Sequence, residues 1–124
     1  GVLYAIGGRI DVNYNKNLKN NEAYNPTTRQ WAQRANLPTA RSGITSQVLE
    51  GNIFVLGGES SQKTFNQNEA YDPKTNTWKL MKPMRKGHHG LGSAVHRGNL
   101  YLLTGGPNPG GGGSKFHDIF RLTR

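Results

Sequence analysis

The segment NEAYNPTTRQW at residues 21–31 returns as NEAYDPKTNTW at residues 68–78, and this restricts the fold more than any other feature of the chain. Asn21, Glu22, Ala23, Tyr24, Pro26, Thr28 and Trp31 reappear as Asn68, Glu69, Ala70, Tyr71, Pro73, Thr75 and Trp78, each 47 residues later, while Asn25 becomes the near-isostere Asp72. Such self-similarity marks one supersecondary unit used more than once, in which each copy buries its apolar face against its neighbours.

An apolar run closing on two glycines precedes each copy: VLYAIGG ends at Gly7 and Gly8, and NIFVLGG at Gly57 and Gly58. A third, NLYLLTGG, ends at Gly105 and Gly106. Its lead-in Gly98-Asn99 follows Gly51-Asn52 by 47 residues, so Thr104 reads as one extra residue. Short apolar, β-branched and aromatic runs bounded by glycine suit strands buried on both faces, and no segment has helical periodicity. After each glycine pair come a variable polar loop, a strand with Glu-Ala-Tyr, a turn set by Asn/Asp-Pro, and a strand with Trp, which together make a hairpin. A fourth strand opens the next copy at ITSQVL (44–49) and GSAVH (92–96), turning at Glu50-Gly51 and Arg97-Gly98. Four short antiparallel strands per period describe a β-propeller blade.

With glycine pair, Tyr and Trp in this order, the chain resembles the kelch repeat over nearly all of its 124 residues. The first copy supplies Gly7, Gly8, Tyr24 and Trp31, and the second Gly57, Gly58, Tyr71 and Trp78. The third has Gly105 and Gly106, with Asp118 and Phe120 where Glu69 and Tyr71 stood. The resemblance implies an all-β, kelch-type propeller segment of four-stranded antiparallel blades. One complete blade, about 44–82, is flanked by two partial ones, with residues 1–35, 36–82 and 83–124 as the three units. A kelch propeller has about six blades, so the chain is expected to be part of a longer one. Open blades expose apolar faces and strand edges, which predicts association with further blades or other chains. The repeated glycines are expected to allow positive φ and close approach, and the Tyr and Trp rings to pack between blades with their polar tips bonded. Glu22, Glu69 and Asp118, at one repeated position, are expected to tie strands or blades together.

Composition adds limits. No run approaches the roughly 18 apolar residues of a membrane span, and the absence of cysteine removes disulfides and thiolate metal sites. Sixteen Lys and Arg against seven Asp and Glu give a net charge of +9, which attracts polyanions, but the cations are scattered and the aromatics belong to the repeat. A nucleic-acid site is therefore disfavoured. The composition leans only slightly toward a secreted or cell-surface location.

Function in a propeller sits on the loops at its mouths, so departures from the repeat matter most. Aligned on Gly51 and Gly98, Arg41 of PTARSGIT falls opposite His88, and Ser42 opposite His89. The resemblance implies that an Arg just before the innermost strand lies at the ligand mouth of kelch proteins that bind acidic peptides. Arg41, Ser42, Arg85, His88 and His89 are accordingly the expected ligand contacts, since guanidinium and imidazole groups suit carboxylates. The leading expectation is a non-catalytic interaction module for an acidic protein or peptide. The alternative is a carbohydrate-binding or carbohydrate-modifying propeller resembling neuraminate-handling kelch proteins, with a carboxylated sugar as ligand. Glu59 would then act on it, since its counterparts Arg9 and Pro107 show that it is not a repeated residue. No catalytic residue, cofactor or metal site is assigned: GGGGSK lacks the order of a phosphate loop, Ser93 lacks an elbow, and the four histidines have no ligand spacing. PNPGGGG at 107–113 reads as a flexible loop.

Overall fold

The computed structural model describes residues 1–123, which form ten strands and no helix. Among them, therefore, no helix is long and apolar enough to cross a membrane. The first sheet holds β1 (Leu3–Ile6), β2 (Asn21–Asn25) and β3 (Gln30–Gln33), in that order. β4 (Thr45–Leu49), β5 (Asn52–Leu56), β6 (Asn68–Asp72) and β7 (Thr77–Leu80) build the second. β8 (Gly92–His96), β9 (Asn99–Leu103) and β10 (His117–Arg121) build the third. All pairings are antiparallel between chain neighbours. The middle sheet has the four strands of a complete blade, and the described residues of the first and third sheets match its last three and its first three strands respectively.

Local chemistry sets the turns. Glu50-Gly51 and Arg97-Gly98 link adjacent strands with φ of 49° and 79°, and 48° and 73°. These two-residue loops with positive φ match the right-handed twist of the paired strands. In the outer hairpins, Asn25 Oδ1 accepts the Thr27 amide at 2.9 Å and Asp72 Oδ1 the Lys74 amide at 2.8 Å. The Lys74 amide also holds the Asp72 carboxyl below its usual range.

The core lies between sheets because β5 alternates sides. Phe54 and Leu56 join Met84, Leu91, Leu100 and Leu102 against the third sheet, with Phe120 packed beside them. Ile53 and Val55 join Leu37 and Tyr71 against the first, with Tyr4, Ile6 and Trp78. Tyr71 and Trp78 face one another across β6 and β7 with ring centroids 5.1 Å apart. The indole donates to the Ala35 carbonyl at 2.8 Å, in the segment crossing from the first sheet to the second. The Tyr71 hydroxyl accepts from Arg34 Nε at 3.1 Å and donates to Asn76 Oδ1 at 2.7 Å. The expectation of aromatic packing between blades thus holds for the second copy. Trp31 repeats the pairing with Tyr24 but remains 56% exposed, because no described sheet covers that face. Trp78→Phe is therefore expected to cost about 1 kcal/mol in urea denaturation by removing one of the two donors to the Ala35 carbonyl, which keeps Asn21 Nδ2, whereas Trp31→Phe should fall within about 0.5 kcal/mol of the parent.

One expectation is corrected. Thr104 is not an insertion. Its amide donates to Phe116 O at 2.7 Å, as Gly57 donates to Gln67 O and Gly7 to Asn20 O. Its φ of 61° matches 70° at Gly57 and 66° at Gly7. Thr104 therefore replaces the first glycine of the pair, Gly105 stands where Gly58 stands, and Gly106 takes the place of Glu59. Gly106 and Glu59 confirm this by pairing with His89 and Ser42 respectively. The identity of two adjacent glycines hides the shift in the sequence.

Candidate functional site

The β1–β2, β5–β6 and β9–β10 connections and the approaches to β4 and β8 meet at one end of the three sheets, with the Glu59 carboxylate at the centre. Glu59 follows its glycine pair directly, which places it on the bridge to Ser42. Its Oε1 receives Arg9 Nη1 at 3.1 Å and lies 3.4 Å from His89 Nδ1, while Oε2 accepts the Gly110 amide at 2.8 Å. Asn17 Nδ2 donates to the Glu59 carbonyl at 2.8 Å and accepts the Ser42 hydroxyl at 2.7 Å through Oδ1. Arg9 also donates to Ser42 Oγ at 3.3 Å and lies over the Tyr14 ring, 4.0 Å from its centroid. All three blades contribute. Arg9 comes from the first, Ser42 and Glu59 from the second, and His89 and Gly110 from the third.

Glu59 and Ser42 are buried, so this cluster joins the blades beneath the mouth. The imidazole of His89 sits against Gly106, where a Cβ would lie 2.4 Å from Nε2. Glycine at that position makes room for the ring.

Arg41, expected at the ligand mouth, is enclosed instead. It has no exposed surface. Its Nη2 donates to Glu69 Oε2 at 2.7 Å and to Val55 O at 3.3 Å, its Nη1 to Gly57 O at 2.6 Å and Gln67 O at 3.4 Å, and its Nε to Thr39 O at 3.3 Å. Thr39 Oγ1 donates to the second Glu69 oxygen at 2.7 Å. All five guanidinium hydrogens are used, which leaves none for a ligand. Burial lowers the Arg41 pKa and Glu69 opposes that shift. The repeated carboxylate at Glu69 thus ties strands together, as its periodicity implies.

His88, in the place of Arg41, is likewise buried. It stacks on Phe116 with centroids 3.9 Å apart. The imidazole does not span the distance a guanidinium does, and the carboxylate equivalent to Glu69, Asp118, is met from outside. Arg85 Nε lies 3.3 Å from Asp118 Oδ1, and Arg85 Nη2 donates to His117 O at 2.6 Å. Of the expected ligand residues, only Arg85 is largely exposed, at 73% of its side chain. It borders a shallow pocket of about 480 Å³ lined by Lys86, Lys115, Phe116 and His117.

Arg9, Tyr14, Asn17, Gly110 and Lys115 were not among the expected site residues. A signal for Arg9 existed: it and Glu59 hold the same place after successive glycine pairs and carry opposite charges. Nothing in the local sequence marks the others.

Comparison with known proteins matches this architecture. The kelch motif model covers residues 1–38 and 40–85. The chain belongs to the kelch-repeat family. It is similar to Kelch-like ECH-associated protein 1A of Danio rerio, 39% identical over 72 residues, covering 53% of this chain and 11% of that protein. Alpha-scruin of Limulus polyphemus is 35% identical over 63 residues, covering 51% of this chain and 7% of the relative. The solved structure of YjhT superposes with a TM-score of 0.65 at 27% identity, over 70% of this chain and 28% of that one. The kelch chain thus spans about a tenth of the length of these two curated relatives. Neither those relatives nor the buried, triply held Glu59 supports the sugar-handling alternative.

Proposed function

We propose that this kelch segment is part of a longer propeller, with units at 1–35, 36–82 and 83–124, and that its loop end binds an acidic segment of a partner protein. The carrying observation is the pocket around Phe116. Lys86 and Lys115 line it without a carboxylate partner among the described residues, and Arg85 is held at its border by Asp118. The acidic group nearest the centre of this end, Glu59, is already engaged by Arg9 and the Gly110 amide. Cations positioned on a sheet framework, beside an aromatic floor, favour an anionic extended segment through charge-assisted hydrogen bonds. Protein association is also the property named in the Danio rerio relative.

The test is fluorescence-anisotropy titration of the full-length protein with a labelled peptide of alternating glutamate and glycine. Binding is expected to weaken steadily with salt, and Lys86→Glu with Lys115→Glu is expected to weaken it by about tenfold or more. Binding unaffected by both changes would refute the reading.

A further inference from the structure

The two joins between the three blades use the same contacts. At each, the amide of the second glycine donates across the gap: Gly8 to Arg41 O and Gly58 to His88 O, both at 2.9 Å. The first glycine makes this possible. A Cβ on Gly7 would lie 2.8 Å from Arg41 O, and one on Gly57 2.5 Å from His88 O. Each join is also secured where the chain leaves one blade for the next. Asn21 Nδ2 donates to Ala35 O at 3.0 Å and Asn68 Nδ2 to Lys82 O at 3.1 Å. The carbonyls of the same two asparagines accept the Arg34 and Met81 amides.

The outer edge of the third blade, which no described sheet covers, departs at two of these positions. Thr104 stands in the place of Gly7 and Gly57, and its Cβ occupies the space where the next carbonyl would enter. His117 stands in the place of Asn21 and Asn68, exposed, with its ring stacked beside Tyr101 rather than offering an amide donor. Its carbonyl already accepts Arg85 Nη2 at 2.6 Å. Two of the repeated residues are replaced on one edge, Thr104 for glycine and His117 for asparagine, whereas the two preceding joins share theirs.

We infer that this edge is a seam in the propeller: the kelch blade that follows packs off it without the amide-to-carbonyl bond that closes the first two joins. The Thr104 side chain sets the gap, since a carbonyl at about 2.5–2.8 Å from a Cβ is closer than real atoms approach. On the reading that the chain is part of a longer propeller, the occupant is a further blade, because Leu103, 43% exposed, holds on this face the place from which Leu56 packs against the third blade. Loss of the close contact localises opening to this edge, and local opening is read directly by amide exchange.

The experiment is hydrogen exchange of backbone amides, resolved by NMR, in the full-length protein. The Gly105 amide, equivalent to Gly8 and Gly58, is expected to exchange at least about 100-fold faster than either. Restoring the two repeated residues, Thr104→Gly with His117→Asn, is expected to slow Gly105 by about tenfold or more relative to Gly58 in the same sample. The Gly58 reference removes any global change in stability. Equal protection of Gly105 and Gly58 in the parent overturns the seam. A Gly105 amide that stays fast in the double variant overturns it too, by showing that no blade approaches that edge.

Discussion

Arg41→Met is expected to lower the unfolding free energy by about 3–5 kcal/mol, measured by denaturant titration of the full-length protein. The size follows from what remains. Glu69 is 3% exposed and loses the guanidinium at 2.7 Å, and the carbonyls of Val55, Gly57 and Gln67 lose their Arg41 donors. An unpaired buried carboxylate is far more costly than the pair is beneficial. The double variant Arg41→Met with Glu69→Leu should therefore recover a large part of the loss, because it removes the orphaned charge. A single variant within about 1 kcal/mol of the parent would show that the network contributes little. A folded Arg41→Met protein that loses only peptide binding would instead return Arg41 to the ligand mouth.

The second large effect is expected at Gly57. Gly57→Ala should cost about 3–4 kcal/mol, of which about 1–2 kcal/mol is the backbone penalty of an L-residue at φ 70°. The remainder is the approach of the new methyl to His88 O at 2.5 Å, which forces the third blade away from the second. Gly51→Ala separates the two terms. Gly51 has φ 79° with nothing within 4 Å of its Cβ position, so its substitution carries the backbone penalty alone. Equal losses at Gly51 and Gly57 would mean that the blade-to-blade approach is not a stabilising contact.

These two predictions differ in how visible their sites were in the sequence. Gly57 belongs to a repeated pair, and repetition already pointed to a backbone role. Arg41 occurs in a segment whose next copy reads differently, with His88 in its place, and in the sequence such a difference from the repeat points to a ligand contact. The structure assigns the difference to the interior. Arg41 reaches its own blade's carboxylate, Glu69, whereas His88 stacks on Phe116 and leaves Asp118 to Arg85. A residue can be unrepeated because its packing partner changed.

Strand positions, the turns at Glu50-Gly51 and Arg97-Gly98, the blade architecture and the family were determined by the sequence itself. They rest on period, side alternation and glycine backbone freedom, which are local properties repeated every 47 residues. Tertiary structure alone decided which charges meet. Arg9 and Glu59 lie 50 residues apart and pair across one join at 3.1 Å, and the bond from the Thr104 amide to Phe116 O identifies Thr104 as a replaced glycine. Pairing across blades depends on the direction and length of side chains brought together by the stacking of whole sheets, and no local pattern encodes that distance.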